Sequence, residues 1–182
     1  IKPAIRKIYI KEKLKDLKEL KNKLETQLKD DFKLDQFTDV TVVISDNEMI
    51  DMEDEDTTNK LYGMAFDIGT TTVVGTLVDL KTGLVKATAA DMNPQVVYGD
   101  DVISRLNFCM QEKNGLKDLN SKVIHVINKI ISEVCDEADI MPDNIYDAVF
   151  AGNTTMQHLL LKVNPQSLAV YPFLSQLKQN IT

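Results

Sequence analysis

The 182-residue sequence predicts an α/β fold made of two parts, a small α+β unit over residues 1–60 and a larger α/β domain over residues 61–182. Three observations carry this prediction. The charge changes abruptly along the chain: residues 1–29 carry a net +6, residues 30–60 a net −9, and the remainder only −4. From residue 61 onward, three strand-length apolar runs follow one another across tight turns. After them the hydrophobic period changes from two to about 3.6, as expected for amphipathic helices.

In the first part, Ile5, Ile8 and Ile10 predict a short strand. Leu14, Leu17, Leu20, Leu24 and Leu28 recur at spacings of three or four and predict one apolar stripe on a helix. Asp39–Ile44 reads as a β-branched strand that this helix can cover, and Met49–Met52 as a returning strand after a Ser45–Glu48 turn. The acidic run Glu53–Lys60 reads most simply as a solvated linker, since neighbouring acids without a fixing turn hold cations loosely.

In the second part, Tyr62–Ile68 is an apolar strand ending in an acid, and Gly69–Thr72 is a turn. Val73–Leu80 is a second strand, Lys81-Thr82-Gly83 a hairpin turn, and Leu84–Ala90 a third strand. Asp101–Gln111 places Val102, Ile103, Leu106, Cys109 and Met110 at helical spacing. Leu116–Glu137 does the same with Leu119, Val123, Ile127, Ile130, Ile131 and Val134. Met141–Asn144 breaks this helix. Asp147–Gly152 reads as a buried strand, and Asn153–Lys162 as a helix capped by Asn153 or Thr154.

Composition narrows the function classes. The formal charge of −7 gives no basic footprint for nucleic acid. With 43% hydrophobic and 27% charged residues the chain reads as a soluble globular protein, and no apolar run approaches a membrane span. No secretory leader is visible. Cys109 and Cys135 make neither a disulfide framework nor a metal cluster and read as buried apolar residues in a reducing, cytoplasmic setting. The start at Ile1 and the polar ending Lys178–Thr182 are those expected of a segment cut from a longer protein.

The segment with chemistry is Phe66-Asp67-Ile68-Gly69-Thr70-Thr71-Thr72. Asp67, at the end of a strand, can hold Mg²⁺ through bound water. Gly69 permits a close backbone approach, and the amides and hydroxyls of Thr70, Thr71 and Thr72 can form an anion-binding concavity. This is not a Walker loop, because the glycine turn leads into a strand and no Gly-Lys-Ser/Thr follows.

The pattern resembles the first phosphate motif of the ATPase superfamily that includes actin, sugar kinases and heat-shock chaperone ATPases. Each half of those proteins is a ribonuclease-H-like domain that begins with three antiparallel strands, and ATP binds between the halves. Three blocks narrow the resemblance: Tyr62–Val74 (YGMAFDIGTTTVV), Asn93–Arg105 (NPQVVYGDDVISR) and Ala151–Leu161 (AGNTTMQHLLL), with Pro172-Phe173 continuing after Leu168-Ala169. Together they are similar to the reductive activators of corrinoid-dependent proteins, and residues 1–60 more weakly resemble the small middle domain of that family.

The resemblance implies a function: ATP hydrolysis assists electron transfer from an iron–sulfur cluster to a corrinoid protein, taking its cobalt from Co(II) to Co(I). The cofactor it implies is Mg-ATP, with the cluster in a domain outside this sequence. Asp67 would order Mg-bound water. Gly69, Thr70, Thr71 and Thr72 would contact the β- and γ-phosphates. Gly152, Asn153 and Thr154 would line the first connecting segment, with Asn153 near the γ-phosphate; Asp67 and Asn153 are the catalytic candidates. Asp101 and Arg105 either join the cleft or pair one turn apart on their helix. His158 and His125 read as helix-surface or core-edge side chains in preference to ligands of corrin cobalt.

By the same resemblance the superfamily's second phosphate loop, adenosine motif and second connecting segment would lie beyond residue 182, and residues 1–182 alone are expected to bind Mg-ATP weakly and to be inactive. Two other functions compete with this one. One is a phosphotransferase of the sugar- or acetate-kinase type, against which stands the lack of a sugar-binding signature. The other is a nonenzymatic docking module in which the leucine stripe seeks a partner, including a second copy in a homodimer; the stripe packing on its own sheet is the simpler alternative.

Overall fold

The computed structural model describes residues 4–11, 39–46 and 48–177. The predicted leucine-striped helix at residues 14–28 lies outside the described residues. The chain divides into two compact units. One comprises Ile1–Gly63, Asp79–Leu84 and Asp143–Asp147, and the other Met64–Val78, Val85–Pro142 and Ala148–Thr182.

The first unit is built on a three-stranded antiparallel sheet in the order β1 (Ile5–Ile10), β2 (Val40–Ser45), β3 (Glu48–Asp54). The β-branched run of β2 takes the central place, and its side chains from Val40 to Ile44 are buried on both faces. On one face Val40, Val42 and Ile44 pack with Ile10 and Met49. On the other, Val43 packs with Ile5 and Leu61, flanked by Leu80 and Tyr146. Val43 pairs with Asp51 and Ile44 with Met49, which leaves Ile50 as the extra residue of a β-bulge.

Across this sheet Lys7 on β1 reaches Glu53 on β3. Its Nζ donates to both carboxylate oxygens at 2.8 and 2.6 Å and lies 4.7 Å from the centre of the Tyr146 ring. The Tyr146 hydroxyl lies 2.6 Å from Glu53 Oε1 and 2.9 Å from Asp51 Oδ2, and the Thr57 hydroxyl also donates to Glu53. The reading of Glu53–Lys60 as a solvated linker is therefore corrected at its start. Glu53 and Asp54 belong to β3, and the buried ammonium of Lys7 draws the Glu53 carboxylate inward.

The second unit holds most of a four-stranded sheet in the order β6-β5-β4-β7, with β4 at Tyr62–Ile68, β5 at Thr72–Asp79, β6 at Val85–Met92 and β7 at Ile145–Gly152. Only three residues join β4 to β5, which forces an antiparallel pair. β5 and β6 pair antiparallel from Thr72 opposite Met92 to Val78 opposite Val85, and Gly83 takes a positive φ of 74° in the intervening turn. β7 runs in the same direction as β4. A Cβ on Gly63 would lie 3.4 Å from the Asp147 carbonyl, Phe66 stacks on Phe150, and a Cβ on Gly152 would lie 3.0 Å from the Ile68 carbonyl.

Three α-helices complete the unit: α1 (Val102–Gln111), α2 (Gly115–Ala138) and α3 (Thr154–Leu160). Apolar residues at helical spacing on α2 (Leu119, Val123, Ile127, Ile130 and Val134) are buried, as are Met64, Phe66, Ile68, Val73, Leu77 and Ala87 of the sheet. Close packing of helix on sheet depends on Gly75, where a Cβ would lie 2.5 Å from Ile130 and 2.7 Å from Phe66.

β7 corrects the expectation of a buried strand. Its residues from Asp147 to Ala151 are exposed, including Val149 and Phe150. An unbroken apolar run reads as buried on both faces, but β7 is an edge strand, and among the described residues little covers it beyond the Phe66 ring at 5.1 Å from Phe150. Also among the described residues, no helix is long and apolar enough to cross a membrane. Cys109 and Cys135 are free thiols, and burial pushes the Cys109 thiol up to about 11, far from a reactive thiolate at neutral pH.

Candidate functional site

β4 and β7 end side by side, and each is followed by a segment with polar groups. After β4 come Gly69, Thr70 and Thr71; after β7 come Asn153 and the first turn of α3. Ligands of open α/β sheets bind outside the carboxyl ends of such parallel neighbours.

Alternation along β4 buries Phe66 and Ile68 and leaves Asp67 exposed on the other face. The Asp67 carboxylate makes no hydrogen bond or ion pair among the described residues. Gly69 closes the turn by donating its N–H to the Thr72 carbonyl at 3.0 Å, and a Cβ there would lie 2.5 Å from that same oxygen. The need for glycine is thus a close backbone approach within the turn, not a positive φ. Thr71 and Thr72 are exposed, and Thr70 is half-buried.

Asn153 has two tasks. Its Oδ1 accepts the Met156 N–H at 3.0 Å, capping α3, while its Nδ2 donates to the Thr70 hydroxyl at 3.3 Å. Two candidates 83 residues apart in sequence are thereby brought together. Gly152 lies against Ile68 where a larger residue would press on the backbone. Thr154 is exposed at the start of α3, and its carbonyl accepts from His158. The side chains of Asp67, Thr71, Thr72 and Thr154 make no bond to the other candidates.

The turn is held from behind by three buried side chains, of which the sequence leaves Arg105 open and does not single out Asn93 or Gln95. Asn93 Nδ2 donates to the Gly69 carbonyl at 2.8 Å, Arg105 Nη2 to the Thr70 carbonyl at 2.6 Å, and the Asn93 backbone N–H to the Thr71 carbonyl at 2.8 Å. Gln95 joins the two, accepting from Arg105 Nη1 at 3.0 Å and from Asn93 Nδ2 at 3.3 Å. Asn93, Gln95 and Arg105 are fully buried. The signal for Arg105 was its place among Val102, Leu106 and Cys109, on the apolar side of an amphipathic helix.

Asp101 and Arg105 do not pair with each other through their side chains. Arg105 extends to the turn, whereas Asp101 caps α1 by accepting the Ser104 N–H at 2.8 Å. That contact, with the Ser104 hydroxyl, holds the Asp101 carboxyl below its usual range. Burial lowers the Arg105 pKa, opposed by the charges of Asp100 and Asp101, and an arginine remains charged nonetheless.

His158 is buried with both ring nitrogens engaged. Nδ1 lies 2.7 Å from the Thr154 carbonyl, and Nε2 accepts the Gln176 N–H at 3.3 Å. Both nitrogens are taken up by backbone groups, which agrees with the core-edge reading. His125 is exposed on α2. Among the described residues no group of three or more His, Cys, Asp or Glu is disposed to hold a metal ion.

The family model described as the RACo middle region matches residues 62–182. The chain belongs to this family. The corrinoid activation enzyme RamQ of Eubacterium limosum is 37% identical over 150 residues, a stretch covering 82% of this chain and 25% of that protein. A solved structure named as the reductive activator for corrinoid, iron–sulfur protein superposes with a TM-score of 0.79 at 29% identity, covering 96% of this chain and 32% of that one. The chain thus spans about a quarter of the curated relative's length and about a third of the solved one. The RACo middle region match takes in the β4–β5 turn, its buried supports and the β7–α3 junction together.

Proposed function

We propose that the chain supplies the first phosphate-binding part of the Mg-ATP cleft in a reductive activator of a corrinoid protein. One observation carries the reading. Three successive carbonyls, of Gly69, Thr70 and Thr71, are held by Asn93 and Arg105 on one side of the turn. In planar trans peptides the following N–H points the opposite way, so the amides of Thr70, Thr71 and Thr72 turn outward. Those of Thr70 and Thr71 have no backbone acceptor among the described residues, which is the character of an anion-binding nest.

The residues fit the group. Mg²⁺ paired with phosphates needs only one or two protein carboxylates and keeps several waters, and Asp67 offers an unengaged carboxylate at the end of β4. The outward amides and hydroxyls of Thr70, Thr71 and Thr72 would receive phosphate oxygens. The Asn153 amide beside Thr70 would donate near the terminal phosphate, with Gly152 and Thr154 flanking it. Bound ATP supplies the hydrolysis free energy. The names of the relatives support a corrinoid protein as the partner, and in this reading its Co(II) would accept the electron. In this reading residues 61–182 form the first ribonuclease-H-like subdomain, residues 1–60 precede it as a small middle domain, and an iron–sulfur cluster belongs to another domain.

The test uses the full-length protein, a Co(II) corrinoid protein and a low-potential reductant. The Co(I) absorption band is expected to grow with Mg-ATP and not with a nonhydrolysable analogue. Co(I) formation indifferent to ATP, or recovery of the γ-phosphate on an organic acceptor, would contradict the reading; the second result would favour a phosphotransferase.

A further inference from the structure

We propose that Arg105 is a positioning residue that also supplies charge to the anion site: from behind the Gly69–Thr72 turn it holds the Thr70 carbonyl inward, aims the Thr71 amide outward, and places a buried positive charge beneath the bound anion. The inference rests on the reading of this turn as a phosphate site.

The guanidinium is fully buried, and four donor contacts account for its place. Nε donates to the Gly99 carbonyl at 2.9 Å, Nη1 to Gln95 Oε1 at 3.0 Å and to Met156 Sδ at 3.5 Å, and Nη2 to the Thr70 carbonyl at 2.6 Å. All four acceptors are neutral. No carboxylate forms an ion pair with it among the described residues, and Asp100 and Asp101 act on it only through space. A buried cation carries a desolvation penalty that a paired anion would ordinarily offset. Among the described residues no carboxylate contacts the guanidinium, which lies one peptide unit behind the amides of the turn, so an anion on the turn is its natural counter-charge. Gln95 and Asn93 hold the fork in register, and Met156 places the start of α3 in the same cluster.

Fixed geometry and fixed charge make separable predictions. A purely geometric support affects every anion alike, whereas a buried charge favours the more highly charged one. The test measures binding of inorganic pyrophosphate and inorganic phosphate to the full-length protein and to Arg105→Gln and Arg105→Lys, and follows the Thr71 amide in ¹⁵N-threonine-labelled protein. Arg105→Gln is expected to weaken pyrophosphate binding by about tenfold or more, and phosphate binding less. Arg105→Lys is expected to recover part of that loss, and the Thr71 amide to shift in both variants. Equal losses for the two anions, pyrophosphate affinity within about twofold of the parent in Arg105→Gln, or no recovery in Arg105→Lys would each overturn the charge role.

Should Arg105→Gln fail to fold, the unaltered protein still decides the matter. Saturating pyrophosphate is expected to shift both the Thr71 amide and the Arg105 guanidinium resonances. A shift at Thr71 without one at Arg105 overturns this inference and leaves the phosphate reading intact, whereas a shift at neither overturns both.

Discussion

Replacing Asp67 by Asn in the full-length protein is expected to lower ATP hydrolysis by about a hundredfold or more while leaving the fold intact. The carboxylate stands exposed at the end of β4 beside the turn and makes no contact that the fold needs. Asn keeps the shape and removes the charge that would order Mg-bound water. Exposed positions without partners change stability by about 0.5 kcal/mol or less, so thermal unfolding of the variant should match the parent. Steady-state phosphate release measured beside a melting curve checks both halves of the statement. Unchanged turnover would take Asp67 out of the mechanism.

The largest expected loss of stability lies elsewhere, at Lys7. Its side chain is 1% exposed and that of Glu53 15% exposed, so the pair is shielded from water. Lys7→Met keeps the aliphatic stem but leaves Glu53 with only the Thr57 and Tyr146 hydroxyls, and breaking such a pair costs about 3–5 kcal/mol. The effect should depend on pH. Burial pushes the Glu53 carboxyl upward, but the bonds from Lys7, Thr57 and Tyr146 outweigh it and hold the group below its ordinary range. A depressed carboxyl pKa contributes stability that is fully present above the unfolded value of about 4.3 and is lost as pH falls through the folded value. In Lys7→Met burial is opposed only by the Thr57 and Tyr146 hydroxyls, so the balance moves toward the protonated acid relative to the parent. The stability gap between parent and variant should therefore be wide near neutral pH and narrow well below about pH 4. Urea unfolding at both conditions checks this; an equal gap at both would show that the lost interaction is not ionic.

How far the sequence was legible depends on how local each cause is. β2 was readable because Val40–Ile44 is a β-branched run, and α2 because its leucines, valines and isoleucines keep one period over about four turns. The Gly69 turn was readable because its closure is a matter of adjacent residues, and the Asn153 cap because its acceptor reaches only three residues onward. What holds the turn in place was not readable. Asn93 and Arg105 lie 24 and 35 residues beyond the carbonyls they support, and nothing in a linear sequence states that they converge there. Glu53 misled for the same reason. Inside an acidic run it resembles a solvated charge, and only a lysine 46 residues earlier makes it an internal partner. β7 misled in the opposite sense, because an apolar run reports what a strand can bury and not what covers it.

Hydrogen–deuterium exchange of the full-length protein with and without saturating Mg-ATP tests the central claim most directly. Peptides spanning residues 66–73 and 151–156 are expected to exchange more slowly with nucleotide bound, since outward amides would then have acceptors, while peptides from β1 and β3 stay as they were. Unchanged exchange at both of those segments, with nucleotide demonstrably bound, would contradict the claim that this turn grips the phosphate tail.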